Sequence, residues 1–182
     1  DQYLYSLNQS QAVRNVSQKG TISITDINNI NLDVSTNTLN GNRRVYEIDA
    51  SKLSTLSTFN VSGMTADDTL IIDVIGATVN WGWQVNAAYK NRIVWNFRDA
   101  TSILVQQRNF DGAMLAPLAA LDQRNNIQGN VIVSSWSNVG APELHFGNQF
   151  RFEGDLHEPV PEPASIAALL VGLGAVARKR RR

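Results

Sequence analysis

The chain has 182 residues with 16 basic and 16 acidic side chains, two histidines and no cysteine. This length suits one domain, or one domain with a tail, and the lack of cysteine excludes disulfides, thiolate metal sites and cysteine nucleophiles. Five of the basic residues end the chain, so residues 1–163 hold 16 acidic and 11 basic side chains, a net charge of −5. A body of this charge argues against nucleic-acid binding through a basic face.

The N-terminal stretch Gln2–Val16 is predicted to be helical, because Leu4 and Leu7 have helical spacing, although the pattern fades after Leu7. The chain begins at Asp1 without an initiator Met. Either the start was removed by processing or this is the C-terminal part of a longer protein. We interpret residues 1–19 as the end of a helix that begins in a missing N-terminal part.

The following residues read as strands, in which apolar and polar residues alternate. The alternating apolar sets are Ile22/Ile24, Ile30/Leu32/Val34 and Val79/Trp81/Trp83/Val85. A period of two predicts strands with one buried and one solvated face. Asn40-Gly41, between Asp33–Leu39 and Arg43–Ile48, predicts a two-residue hairpin.

Other segments are apolar throughout, which is typical of strands buried on both faces. They are Leu70–Ile75, Ile93–Phe97, Ile103–Val105 and Val131–Val133. Apart from the N-terminal stretch, we expect helix only as one short turn in Ser51–Leu56. Many short strands without intervening helices predict an all-β sandwich, barrel or solenoid.

The second half of the chain contains a weak repeat. The patches Ile93-Val94-Trp95, Ala113-Met114-Leu115 and Val131-Ile132-Val133 recur 20 and then 18 residues apart. Gly112 and Gly129 precede two of the patches, within Asp111-Gly112 and Gln128-Gly129. A period near 20 favours the coils of a β-solenoid, with a sandwich of regularly spaced strands as the alternative.

Candidate catalytic and metal-binding residues are few. Asp67-Asp68 with Asp73 resembles a set of paired carboxylates, but Asp67-Asp68 follows Gly63-Met64-Thr65-Ala66, which favours a solvated turn. His145 beside Glu143 has no second predicted ligand nearby and is interpreted as a surface histidine. We therefore expect no enzyme activity, no metal and no cofactor.

Trp81, Trp83 and Trp95 form an aromatic cluster in the sequence. Such rings can stack on sugars, which gives a candidate glycan-contact site. The alternation of Trp81 and Trp83 favours a buried strand face instead. Ice binding would need regularly spaced threonines, and the threonines of this chain do not recur at the coil period.

The C-terminal tail has three parts. Leu156–Pro163 contains three of the five prolines and is predicted to be an extended linker. Ala164–Ala177 is free of charge over 14 residues, and five cations follow it: Arg178, Lys179, Arg180, Arg181 and Arg182. An apolar segment bounded by cations predicts a C-terminal transmembrane helix with its basic end on the cytoplasmic side. A plain tail anchor is the simpler alternative.

This tail resembles a PEP-CTERM sorting signal. The resemblance is carried by Val160, Pro161, Glu162 and Pro163, followed by the apolar segment and the basic end. It implies a Gram-negative bacterium and an exosortase-like partner, which would recognise the tail near Pro161–Pro163 and remove it during sorting to the surface.

Residues 20–155 resemble the choice-of-anchor A family, whose members are exported bacterial adhesins. The matching segments are Phe59–Val61, Leu70–Gly76, Ile93–Thr101, Phe110–Pro117, Ile127–Ile132, Glu143–His145 and Phe152–Asp155. The resemblance implies a β-solenoid-like fold, of the right-handed β-helix type and distantly similar to ice-binding proteins.

The resulting organisation has four parts: a helix end at 1–19, an adhesive β domain at 20–155, a linker at 156–163 and a membrane segment with a basic tail at 164–182. We expect an exported surface or extracellular-matrix adhesin, held in the membrane before processing. The alternatives are a carbohydrate-binding or carbohydrate-active protein of the exopolysaccharide matrix and an ice- or surface-binding module. The expected partners are the sorting enzyme, the membrane, and exopolysaccharide or another cell surface.

Overall fold

The computed structural model describes residues 2–14, 19–37, 42–145, 147 and 149–156. These residues form one α-helix, two short 3-10 helices and fourteen strands. Their bounds are α1 Gln2–Arg14, β1 Gly20–Thr21, β2 Asn29–Asp33, β3 Arg43–Asp49, η1 Ala50–Leu53, β4 Thr58–Ser62, β5 Thr69–Ile75, β6 Thr78–Trp81, β7 Gln84–Asn86, η2 Lys90–Arg92, β8 Ile93–Asn96, β9 Ser102–Val105, β10 Phe110–Asp111, β11 Ala113–Gln123, β12 Ile127–Gln128, β13 Val131–Asn138 and β14 Leu144–His145.

The strands form three sheets, and every pairing between them is parallel. The main sheet has the order β1-β3-β5-β8-β11-β9-β6, with β13 also paired to β11. The amide sheet, named for its outer side chains, is β2-β4-β7, and the small sheet is β10-β12-β14. The predicted mainly β structure with an N-terminal helix is therefore confirmed, and the structure shows that its main sheet is a curled parallel one.

The chain returns to the main sheet after successively shorter loops. Tyr46 pairs with Ile72, Ile72 with Trp95, Trp95 with Met114 and Met114 with Val131, so the returns take 26, 23, 19 and 17 residues. The repeat predicted in the second half was thus one residue out of register. Aligning Ala113 with Ile93 would have placed Met114 on the outside, whereas Trp95 and Met114 both point into the core.

The predicted hairpin is wrong. Asn40-Gly41 lies outside the described residues, but the strands on either side of it belong to different sheets. β2 pairs with β4, whereas β3 pairs with β1 and β5. The turn signal is local, whereas these two strands take their partners from segments 26 to 29 residues away in the sequence.

The longest strand, β11, bends from one part of the main sheet into another. Its first part pairs with β8 and its last part with β9, and the register against β13 shifts between Ala116 and Ala120. Pro117 lies at this shift, where its missing N–H leaves no gap in the ladder. One strand thereby pairs with both β8 and β9.

Two apolar cores result from this arrangement. The main core fills the inside of the coil and contains the largest buried rings: Phe59, Trp81, Trp83, Trp95, Phe97 and Phe110. A second core lies between α1 and the outer side of the main sheet and contains Val13, Val45, Ile71, Val94, Ala113 and Leu115. Because α1 covers the sheet, β5 and β8 are buried on both faces, as their apolar runs predicted.

The predicted burial of Val131–Val133 on both faces is wrong, because Val131 and Val133 are half-buried against the main core whereas Ile132 faces outward. This segment opens β13, which pairs with β11 on one side and with no other described strand. Ile132 is 43% exposed and Trp136 is 42% exposed. β5 has the same kind of apolar sequence but lies between β3 and β8. β13 has a paired strand on one side only among the described residues, so its apolar residues remain more exposed.

The segment after β14 runs back across the coils. The backbone N–H of Phe152 donates to Asn130 Oδ1 at 2.8 Å, that of Glu153 to the Asn91 carbonyl at 2.9 Å and that of Asp155 to Thr69 Oγ1 at 2.7 Å. Phe152 and Leu156 pack against the second core. The described chain therefore ends against the helix side of the domain.

Among the described residues, no helix has the length and apolarity that crossing a membrane requires. The predicted sorting motif, transmembrane segment and basic tail, residues 160–182, lie outside the described residues.

Candidate functional site

A row of asparagines runs across the outer side of the amide sheet. Asn31, Asn60 and Asn86 are paired in register on β2, β4 and β7. Asn60 Nδ2 donates to Asn31 Oδ1 at 2.8 Å, and Asn86 Nδ2 donates to Asn60 Oδ1 at 2.8 Å. Neighbouring strands lie about 4.8 Å apart, so the row is a regular, uncharged array of hydrogen-bond donors and acceptors.

A second outer row lies two residues earlier on the same strands and consists of Asn29, Thr58 and Gln84. Between the two rows, Ile30, Phe59 and Val85 point inward and are buried. The period of two that buries this apolar set also directs both polar rows to solvent.

A polar groove, which we call the amide groove, begins beside Gln84. It has a volume of about 300 Å³ and is lined by Gln84, Lys90, Gln107, Arg108, Asn109, Asp111, Asn125 and Gln128. A side groove of about 300 Å³ shares Lys90, Asp111 and Gln128 with it and adds Ala87, Ala88, Asn91, Gln149 and Phe150. The two grooves meet at the Lys90–Asp111 pair.

Asp111 and Lys90 form an ion pair at this junction, with Lys90 Nζ 3.0 Å from Asp111 Oδ2. The Asp111 side chain is 7% exposed and that of Lys90 is 38% exposed. Burial raises the pKa of the Asp111 carboxyl, and the hydrogen bond and charge of Lys90 only partly oppose this effect. The 3-10 helix η2 presents Lys90, and β10 presents Asp111.

Several side-chain amides of the amide groove have no hydrogen-bond partner in the part of the chain that the structure describes. Gln84, Gln107 and Gln128 make no side-chain hydrogen bond with another described residue. Asn125, in contrast, donates to the Gln106 carbonyl at 3.1 Å and accepts from the backbone N–H of Asn126 at 2.8 Å. The three glutamines are therefore free to bind a ligand, whereas Asn125 shapes the loop.

The tryptophans predicted as a candidate glycan site lie beneath this groove. Trp81, Trp83 and Trp95 are all 0% exposed, so none presents a face to a sugar. Trp81 Nε1 donates to the Asn109 carbonyl at 3.0 Å, and Trp95 Nε1 donates to the Asp111 carbonyl at 3.1 Å. Two of these rings thus support the backbone of the groove wall from the core.

The predicted solvated turn at Asp67-Asp68 is correct for Asp67 and wrong for Asp68. Asp68 is 1% exposed, pairs with Arg44 at 2.9 Å, and accepts hydrogen bonds from the N–H and hydroxyl of Thr65. Arg44 comes from the preceding coil, so the burial could not be read from the local turn.

Asp73 is also buried, in a cluster on the helix side of the main sheet. Its Oδ2 lies 2.5 Å from Lys19 Nζ and 3.1 Å from Arg98 Nη1, and its Oδ1 accepts from Asn96 Nδ2 at 2.9 Å. Both Asp68 and Asp73 are saturated by protein partners and hold the fold together.

His145 lies at the surface, as predicted. Its Nε2 is 2.6 Å from Glu143 Oε2, and its ring centre is 5.9 Å from that of Phe150. No group of three or more potential metal ligands occurs among the described residues.

The main sheet has an outer row with hydroxyl groups, formed by Thr78, Ser102, Ala120 and Ser135. Only one of its four members is threonine. This row lacks the regular threonine column that the ice-binding alternative requires.

Sequence reasoning missed Lys90, Asp111 and Gln128 as site residues. A signal was present, because an acid or amide precedes a glycine in both Asp111-Gly112 and Gln128-Gly129. The register pairs Asp111 with Gln128, which makes these two dipeptides neighbours on adjacent coils.

A curled parallel sheet, an outer row of amides and an adjoining polar groove define the architecture of this domain. A family model described as "Putative Ice-binding-like adhesive domain" matches residues 2–146. The chain belongs to this family, which confirms the predicted adhesive domain and is consistent with a cell-surface or extracellular location. The search of curated proteins and the search of solved structures found no match to the chain.

Proposed function

We propose that this protein is a non-enzymatic adhesin of a Gram-negative bacterium, exported and displayed on the cell surface or in the extracellular matrix. The observation that carries the proposal is the family match over residues 2–146. The stacked coils, with a helix along one side, support assignment to a right-handed β-solenoid like that of ice-binding proteins. The segment 20–155 is then the adhesive domain of choice-of-anchor A type.

The amide sheet is the surface proposed to contact the target. Its asparagine row is held rigid by hydrogen bonds between its own members, so little conformational entropy is lost when the row meets a surface. Each amide offers both donors and acceptors. An array of this kind suits a polar, uncharged polymer better than an apolar or strongly charged one.

The C-terminal residues supply the proposed route to the surface. Residues 156–163 form the linker with the PEP motif Val160–Pro163, and residues 164–182 form the membrane segment and basic tail. An exosortase-like enzyme is the proposed partner that removes this tail. Leu156, the last described residue, packs against the second core.

Adhesion is tested with beads that carry the full chain through an N-terminal tag. Coated beads are expected to be retained on the matrix of the producing bacterium. A double variant, Asn31→Asp with Asn60→Asp, places like charges side by side in the row and is expected to lower retention. Equal retention of coated and uncoated beads would refute the adhesive role.

Sorting is tested by mass spectrometry of the C-terminal peptide in envelope and medium fractions. We expect mature chains that end near Pro161–Pro163. An intact Arg178–Arg182 end in the membrane fraction would refute removal of the tail and leave a plain tail anchor.

A further inference from the structure

We infer that the amide groove binds a segment of a neutral polysaccharide, with sugar hydroxyls held by Gln84, Gln128 and Asp111. This inference rests on the proposed adhesive function and names the ligand class at the same side of the domain. Neither the family match nor the tryptophan cluster of the sequence assigns a site to these residues.

The amide groove has hydrogen-bonding capacity that the described residues leave unused. Gln84, Gln107 and Gln128 line one groove, and none of their side-chain amides has a hydrogen-bond partner among the described residues. A sugar hydroxyl donates one hydrogen bond and accepts others, and an amide can serve in both ways. Several amides converging on a cleft therefore match a polyhydroxylated ligand.

The carboxylate of Asp111 lies where the amide groove and the side groove meet. Lys90 binds Asp111 Oδ2 at 3.0 Å, and no described residue donates to Oδ1. The Asp111 side chain is largely buried, and a hydroxyl that donates to this carboxylate oxygen makes a charge-assisted hydrogen bond, which is stronger than a neutral one.

The charge of the lining selects against a polyanion. Lys90 and Asp111 neutralise one another, which leaves Arg108 as the one unbalanced charge among the residues lining the amide groove. Binding of an acidic polysaccharide relies on several cations, and the groove does not provide them. A neutral polymer is the better match.

The side groove also contains an aromatic ring, that of Phe150, next to the polar side chains. Phe150 lines the side groove and is half-buried, so part of its surface is open to the apolar face of a sugar ring. Beneath the groove, Trp81 and Trp95 fix the Asn109 and Asp111 carbonyls. These hydrogen bonds fix the backbone that carries Asn109 and Asp111, and a preorganised binding site needs such support.

The test is affinity electrophoresis of the full chain in gels that contain dextran, galactomannan or alginate. We expect at least one neutral polymer to retard the protein and alginate to have no greater effect. Asp111→Asn removes the carboxylate charge at constant shape and should weaken binding about tenfold. Gln128→Ala and Gln84→Ala should each weaken it about threefold to tenfold.

Gln11→Ala is the matched control, because Gln11 is an exposed amide on α1 outside both grooves. It should be retarded like the unmodified protein. Melting temperatures identify any variant that has lost its fold, and the exposed Gln84 side chain keeps one groove variant free of that problem.

The inference is overturned if neither neutral polymer retards the protein, if alginate retards it most, or if Gln84→Ala binds as well as Gln11→Ala. The bead assay separates this outcome from failure of the adhesive role. Retained beads without polysaccharide binding would reject the groove and keep the adhesin. Polysaccharide binding without bead retention would keep the groove and reject the adhesin.

Discussion

Ser10 and Asn96 exchange hydrogen bonds in both directions across 86 residues of sequence. Ser10 Oγ donates to Asn96 Oδ1 at 2.6 Å, and Asn96 Nδ2 donates to the Ser10 carbonyl at 3.2 Å. Asn96 Nδ2 also donates to Asp73, which binds Lys19 and Arg98. This buried polar cluster fixes α1 on the main sheet at one position, whereas the apolar contacts of the second core are not directional.

Replacing Asn96 should loosen this docking. Asn96 is fully buried, and Asn96→Ala leaves the Ser10 hydroxyl and one oxygen of Asp73 without their partner. We expect a loss of about 2–3 kcal/mol in the free energy of unfolding, measured by urea denaturation. Asn86→Ala, at the exposed end of the asparagine row, should cost less than about 1 kcal/mol. Equal losses for the two variants would show that the polar cluster does not hold the helix.

Gly129→Ala should be severely destabilising. Gly129 has φ +149°, and a Cβ on it would overlap the Gly112 carbonyl of the adjacent coil. Relief would require backbone movement in two coils, so we expect a loss of more than about 3 kcal/mol. Gly147→Ala is the control, since a Cβ there would lie more than 4 Å from every described residue that is not its chain neighbour. A melting temperature for Gly129→Ala near that of the control would contradict the close approach of the coils.

Trp81 and Trp83 should respond differently to the same substitution. Both rings are fully buried, but Trp81 Nε1 donates to the Asn109 carbonyl, whereas Trp83 Nε1 has no hydrogen-bond partner among the described residues. Phenylalanine removes similar volume from each site. Trp81→Phe should therefore cost about 1–2 kcal/mol more than Trp83→Phe in chemical denaturation. A larger stability loss for Trp83→Phe than for Trp81→Phe would mean that the Trp83 Nε1 group has a hydrogen-bond partner in solution.

Acid should remove part of the stability through Asp68. Burial raises the pKa of this carboxyl, but the hydrogen bonds from Thr65 and the charge of Arg44 outweigh burial and hold the pKa below its usual 3.8. A pKa lowered by folding stabilises the native state above the unfolded value, and this contribution disappears as the pH falls through the folded value. Unfolding free energies from pH 7 to pH 2 should therefore decrease below about pH 4.

Asp68→Asn should be less stable than the unmodified protein at pH 7 and should lose less stability on acidification. Asp67→Asn, on the exposed side of the same turn, should keep the acid loss of the unmodified protein. Parallel curves for the unmodified protein and Asp68→Asn would contradict the role of Asp68.

The strands could be predicted from the sequence because their signal is local. Alternation at Val79–Val85 and the uniform apolar run Leu70–Ile75 report which faces are buried, and burial depends on side-chain spacing along one strand. The core position of Trp81 and Trp83 followed from the same period. The N-terminal helix was also predicted, and the second core that it forms explains why β5 is apolar on both faces.

The partners of each strand and the composition of the groove depend on tertiary structure. Asn40-Gly41 indicated a hairpin, but β2 and β3 each pair with a later parallel strand, because the strands of this fold take their hydrogen bonds from residues 15 to 29 positions away. Lys90, Asp111 and Gln128 come from different elements, and the register across the coils brings them together. Periodicity along a chain specifies which side of a strand is buried, whereas only the stacking of coils determines which polar side chains become neighbours.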